Sequence, residues 1–176
     1  AKLVKLEFGA LTDQQPTGTH GVAALLAETP GVDLASAYDD LRASVVALDI
    51  TRTFWEKATI LHAEHHRPPD QPVRDRFARH YADFESLWRH PSSADALARL
   101  DLLDDVVRHK SRFFASAWAH YETARPGTFR LVPPPSRRAE LARDYATMAP
   151  MFTGLPMAFD VLWQRLRAAE QQRNDG

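Results

Sequence analysis

The 176 residues contain no cysteine, which excludes disulfides and thiolate metal sites and fits a reducing cytoplasm. No apolar run approaches the roughly 20 residues of a bilayer-spanning helix, and no signal-peptide pattern opens the chain; the expected location is cytoplasmic, with no membrane partner. Neither charge sign is in excess: 22 Lys and Arg stand against 23 Asp and Glu, for a net charge of −1. Bulk electrostatics therefore do not mark a nucleic-acid binder, and any basic surface has to be local. The seven glycines build no phosphate-cradling loop, and neither a nucleophile elbow nor a Ser/His/Asp arrangement can be placed. Internal repeats and low-complexity tracts are missing too. What remains is an ordinary globular composition, 44% hydrophobic and 26% charged, long enough for one packed domain or one domain with a small appendage.

Residues 2–8 (KLVKLEF) alternate, with Val4, Leu6 and Phe8 on one face and Leu3, Lys5 and Glu7 on the other, the period of a half-buried strand. Pro16, Gly18 and Gly21 predict loop over 10–21. A short helix is expected over 22–28, stopped by Pro30-Gly31, and a second over 33–42, capped by Asp33. The β-branched run Ser44–Leu48 predicts another strand. From about residue 51 the pattern turns helical: 51–66, ended by Pro68-Pro69; 72–89, opened by Pro72; a short helix and a long one within 94–124, with Val106, Phe113, Ala117 and Tyr121 inward; 137–149, capped by Ser136; and 157–172, before a polar, frayed tail over 171–176. The fold class is mostly α (α+β). Residues 1–50 are expected to be a remnant of an α/β core, and 51–176 a C-terminal helical bundle.

Lys57 sits among Phe54, Trp55, Ala58 and Leu61, so its ammonium is expected to be partly desolvated and suited to holding phosphates as a point charge. A solvated helix lysine is the plainer reading. Asp83 falls at the edge of the apolar stripe of its helix; it either pairs with Arg79 on the surface or reaches a cleft, where it could orient a lysine, a metal-bound water or a ribose hydroxyl. Glu7 is either an exposed strand carboxylate or one member of a metal cluster, and one carboxylate alone cannot build a magnesium site. His62 and His66 stand at i,i+4, a spacing that can chelate zinc, but HAEHH is not the HExxH order. Imidazoles at a solvated helix C-terminus, mildly favoured by the helix dipole, explain these histidines adequately, and zinc is the minor alternative. Arg52, Arg67, Arg74, Arg76 and Arg79 are concentrated on two consecutive helices, interleaved with acids. They form either a mixed solvated surface or, if clustered, a grip on an RNA backbone, which Arg137-Arg138 could extend.

Three stretches resemble the AbiEii/AbiGii nucleotidyltransferase toxin family, to which the MenT toxins are related: RTFWEKATILHAEHHRP at 52–68, RHYADFESL at 79–87 and LARDYATMAPMF at 141–152. The segment 108–133 also looks familial. The resemblance implies a toxin of a toxin–antitoxin or phage-defence system that transfers a nucleotide from a nucleoside triphosphate to an acceptor such as tRNA. It implies Mg2+ as cofactor and a cognate antitoxin as partner. Residue by residue, it makes Lys57 and Asp83 catalytic, Lys57 nucleotide-binding and Glu7 a metal carboxylate; the concentration of arginines adds Arg52, Arg76 and Arg79 as candidate contacts to nucleotide or RNA. The family's Gly-Gly/Ser turn and Asp-x-Asp strand have no counterpart ahead of Glu7. The chain, which starts at Ala1 and runs directly into a strand, is therefore expected to be the C-terminal portion of such a toxin and catalytically incomplete alone. The alternative is a non-catalytic helical module that binds RNA or an antitoxin.

Overall fold

A computed structural model describes residues 9, 13, 15–28, 31, 41–152 and 154–175. The expected strand over 2–8 with Glu7, and nearly all of the expected helix over 33–42, lie outside these residues. The chain divides into two compact units, Ala1–Asp49 and Ile50–Gly176.

In the first unit, β1 (Thr17–Ala23) pairs antiparallel with β2 (Arg42–Leu48), in a register running from Thr17 opposite Leu48 to Ala23 opposite Arg42. The pairing extends past both strand ends, with Ala24 N–H donating to Leu41 O and Asp49 N–H to Pro16 O, each at 2.9 Å. β2 is the strand that its β-branched residues predict. β1 overturns the loop expected over 10–21: Gly18 and Gly21 lie within it, and the ladder supplied by β2 outweighs their weak strand preference. The helix expected over 22–28 shrinks to one 3-10 turn, Leu25–Glu28.

The second unit is a bundle of α1 (Ile50–His65), α2 (Arg79–Arg89), α3 (Ser93–Ala98), α4 (Leu100–Phe113), α5 (Arg138–Thr147) and α6 (Phe159–Asp175). With only β1 and β2 as strands among the described residues, the protein is mostly α, as the periodicity predicts. α1 is the central helix. It packs on α2, α3 and α4, and Phe54, Trp55, Ala58, Leu61 and His62 are all at most 2% exposed. Phe54 stands edge-on to Trp55 at 5.0 Å and meets Phe84 at 5.2 Å. The Trp55 indole N–H is shared between Ala96 O at 3.0 Å and Arg99 O at 3.1 Å, at the junction of α3 and α4. A buried indole needs such an acceptor.

The structure departs from the expected helices in three places. α2 starts at Arg79 rather than at Pro72, because residues 75–78 form turns and Arg76 has φ +60°. Carboxylates of α5 receive these turns: Asp144 accepts Arg76 N–H and Ala78 N–H, both at 2.7 Å, and Glu140 accepts Val73 N–H at 2.8 Å. α4 ends at Phe113, so Ala117 and Tyr121 do not continue its core face, and Phe113 itself is 46% exposed. The tail expected to fray is helical through Asp175.

That last helix is held by an extended segment without strand partners. Asn174 accepts from Phe129 N–H and donates to Phe129 O, both at 2.9 Å; Glu170 Oε2 accepts Leu131 N–H at 2.6 Å and Val132 N–H at 3.1 Å; His62 Nδ1 accepts Arg130 N–H at 3.1 Å. Phe129 and Leu131 are buried, and side chains of α1 and α6 supply the hydrogen bonds that a sheet would otherwise give this backbone.

Candidate functional site

Lys57 on α1 and Asp83 on α2 meet at 2.6 Å, from Nζ to Oδ2. Positions 54, 55, 58 and 61 turn into the core, which leaves Lys57 on the flank facing α2. Its side chain is 22% exposed against 47% for Asp83, so the pair sits at a boundary where an incoming anion can reach the ammonium. His80, three residues before Asp83 and therefore on the same face of α2, places Nδ1 at 3.1 Å from Lys57 Nζ. An ammonium only donates, so Nδ1 is the acceptor. Burial first, and then the positive charge of Lys57, hold the His80 imidazole down at about 4; it is neutral at physiological pH. Phe77 stands edge-on to it at 4.9 Å.

Behind this face lies a second lysine. Lys110 of α4, 5% exposed, donates to Glu56 O at 2.7 Å, Thr59 Oγ1 at 2.8 Å and Glu56 Oε2 at 3.0 Å. Burial pushes it down to about 8, against the opposing pull of Glu56. Arg52 Nε donates to the other Glu56 oxygen at 3.2 Å. The residue preceding Lys57 is thus clamped at its carbonyl and its carboxylate. Neither His80 nor Lys110 is among the site residues expected from the sequence. The i,i+3 spacing of His80 and Asp83 could have revealed the first. Nothing local marks Lys110, whose partners lie more than fifty positions away.

The structure brings Lys57 and Asp83 together and separates the arginines. Arg52 is 1% exposed and faces Glu56, a geometry that keeps it from an external phosphate. Arg76 and Arg79 are exposed on the approach to α2 and on its first turn. Arg137, expected to extend a basic surface, is 8% exposed; its guanidinium donates to Pro68 O and Gln71 O, both at 2.6 Å, and to Glu140 at 2.9 Å. Arg138 is exposed and pairs with Asp160 at 2.5 Å.

His62 is an interior group, which overturns the solvated-terminus reading for it, while His65 and His66 are half-buried. His62 is fully buried. Its Nε2 faces His120 O at 3.1 Å and Thr123 Oγ1 at 3.0 Å, while Nδ1 accepts Arg130 N–H, so both nitrogens are committed to the protein. Burial, then His66, holds His62 down at about 4; burial, then His65, does the same for His66. His65 Nδ1 lies 2.6 Å from Val132 O. Among the described residues no three His, Cys, Asp or Glu side chains are grouped to hold a metal. Magnesium, which the resemblance implies, needs several oxygen ligands. Asp83 offers one carboxylate, already bonded to an ammonium, and Glu7 lies outside the described residues, so the described residues do not fit that ion by themselves.

The fold and site thus define a mostly helical protein that holds a lysine–aspartate pair at the flank of its central helix. The family model described as nucleotidyl transferase AbiEii toxin, type IV toxin–antitoxin system, matches residues 2–165. The chain belongs to the AbiEii family. No curated protein and no solved structure matches it. Among the described residues no helix is long and apolar enough to cross a membrane.

Proposed function

We propose that the Lys57 face binds the phosphates of a nucleoside triphosphate, and that the protein transfers a nucleotide from it to an acceptor such as tRNA, as the toxin of a pair restrained by a cognate antitoxin. The observation that carries this reading is the 2.6 Å pair of Lys57 with the half-exposed Asp83, beside a neutral His80. A polyphosphate carries more charge than one carboxylate and can displace Asp83 from the ammonium. His80 adds an acceptor for Lys57 without adding a charge that would oppose the phosphates. In the transfer, an acceptor hydroxyl oxygen bonds to the α-phosphorus, the bond to the departing pyrophosphate breaks, and the hydroxyl proton passes to a base. Asp83, once released, is the carboxylate nearest to Lys57 for that role.

Arg79 and Arg76 are the arginines proposed at the RNA backbone, and Arg52 is withdrawn from it by its burial. No step is routed through magnesium, and the assignment of Glu7 to that ion rests on the family resemblance alone. In this reading residues 1–50 belong to the nucleotidyltransferase core and the bundle is the lobe that grips nucleotide and acceptor.

Calorimetric titration with magnesium and each nucleoside triphosphate tests the reading. The unaltered chain is expected to bind at least one of them, and Lys57→Ala to lose that binding. No binding by the unaltered chain, or equal binding by the variant, overturns the assignment of the site. Binding without turnover by these 176 residues identifies the bundle as a binding lobe whose chemistry needs further carboxylates.

A further inference from the structure

Arg74 precedes α2, on the side of His80 away from Asp83. Its backbone is held on both flanks: Glu140 accepts Val73 N–H at 2.8 Å and Asp144 accepts Arg76 N–H at 2.7 Å. Arg74 O accepts Phe77 N–H at 3.2 Å. The turn so closed lays the guanidinium carbon 5.1 Å from the centre of the Phe77 ring, an attraction between a cation and a ring face. The same buried ring stands edge-on to His80 at 4.9 Å, so one phenylalanine orients both neighbours. Besides burial, the charges acting on Tyr121 are Arg74 and Glu56, the residue before Lys57; Arg74 also acts on His80, after burial and Lys57. These neighbours set the guanidinium beside the Lys57 face. Arg74 is exposed, and among the described residues its guanidinium has no hydrogen bond or ion pair. The His80 ring adds a second free donor. Its Nδ1 accepts from Lys57, and a neutral imidazole has one N–H, so the proton is on Nε2. That N–H has no partner among the described residues and is not closed off from solvent.

We propose that Arg74 and the His80 Nε2–H form, beside Lys57, a subsite for a pyrophosphate group, and that in nucleotide transfer this is the group that departs; that role rests on the transfer proposed above. The order of residues carries the assignment. Attacking and leaving oxygens lie roughly in line through the α-phosphorus. Asp83, the carboxylate at the attacking hydroxyl, therefore marks one end of that line, and the leaving oxygen points away from it. His80 lies about 4.5 Å back along the axis of α2, and Arg74 lies beyond it. As the acceptor oxygen bonds to the α-phosphorus, its proton goes to Asp83. The bond from the α-phosphorus to the bridging oxygen breaks, and that oxygen keeps the electron pair as part of pyrophosphate. The charge it gains arises where the free donors stand. A guanidinium meets phosphate oxygens with two parallel N–H groups, and Arg74 has no carboxylate among the described residues to give up first. The His80 N–H adds a directional bond, aimed by the Lys57 contact that fixes its tautomer.

Calorimetric titration with inorganic pyrophosphate, with and without magnesium, tests the subsite in the absence of any nucleoside. The unaltered chain is expected to bind it, and Arg74→Gln to weaken that binding by about 10- to 150-fold, the range of a hydrogen bond to a charged group. His80→Gln, whose amide N–H can stand where Nε2–H does, should bind tighter than His80→Asn, whose amide stops at the level of Nδ1. Nucleoside triphosphate binding should weaken in parallel in Arg74→Gln, whereas nucleoside monophosphates, which lack the departing group, should bind that variant as they bind the parent. Circular dichroism melts of Arg74→Gln are expected to match the parent, because the side chain is exposed; should the His80 variants melt early, Arg74→Gln still decides. No pyrophosphate binding by the unaltered chain, equal binding by Arg74→Gln, or a monophosphate loss equal to that of the triphosphate overturns the subsite. Triphosphate binding that needs Lys57 but ignores Arg74 overturns it too, and leaves the proposed function standing. Pyrophosphate binding that needs Arg74, in a chain that binds no nucleoside triphosphate, supports the subsite and removes the transferase reading.

Discussion

Asn174 and Phe129 exchange two hydrogen bonds: the Asn174 side-chain oxygen accepts Phe129 N–H, and its amide donates to Phe129 O, both at 2.9 Å. The amide reproduces a strand partner for one residue of a segment that has none. Asn174→Ala leaves a donor and an acceptor of the segment unpaired and is expected to cost about 1–3 kcal/mol. Thermal denaturation should show the midpoint fall. An unchanged midpoint would mean that water satisfies Phe129 equally well.

Acid should destabilise the bundle through its histidines. His62, His66 and His80 titrate at about 4 in the folded chain against an ordinary 6.5, chiefly through burial. Between those values the unfolded chain binds more protons than the folded one, so stability is fully present above about pH 6.5 and is lost as pH falls toward 4. For the fully buried His62 alone the loss is on the order of 3 kcal/mol. Urea unfolding across this range should give a declining stability, and His62→Gln a shallower decline.

The contact of Lys57 with His80 gives a titration with opposite signs in two variants. Lys57 lowers the His80 value and Asp83 raises it. The His80 midpoint, followed by NMR, is expected to rise from about 4 in Lys57→Met and to fall in Asp83→Asn. Because the pair is partly exposed, Asp83→Asn should change stability by no more than about 1 kcal/mol. Shifts of the same sign in the two variants would place His80 away from the pair.

Arg137 joins the turn at residues 68–71 to α5 through two carbonyls and Glu140. Lysine cannot reproduce the fork that reaches all three. Arg137→Lys is expected to cost roughly 2 kcal/mol, and hydrogen exchange should report faster opening around Gln71. Protection equal to the parent would assign the turn's rigidity to Pro68 and Pro69 instead.

Much of this was legible along the chain. The aromatic spacing of α1 and α2 predicts both helices and their buried faces, because side chains three and four apart share a face whatever packs against it. The family resemblance pointed to Lys57 and Asp83, and the structure shows them in contact. β1 was hidden, because its glycines signal a turn and only β2 makes it a strand. The start of α2 was hidden for a related reason, since the carboxylates that accept its turns come from α5. The i,i+3 spacing that puts His80 on the face of Asp83 is legible in the sequence, but its contact with Lys57 needs α1 beside α2.

The sequence by itself determined the helical periods, the lack of disulfides, the buried aromatic stripe and the family to which the chain belongs, all of which are properties of local spacing and composition. Tertiary structure alone decided which charges meet. It turned Arg52, Arg137 and Lys110 inward, made His62 a neutral link to the backbone of Arg130, brought Asn174 to Phe129, and left Phe113 and Phe114 in water. The physical reason is the same in each case: whether a polar group is buried or exposed, and what it bonds, depends on partners far along the chain, and a residue's own neighbours in sequence carry no record of them.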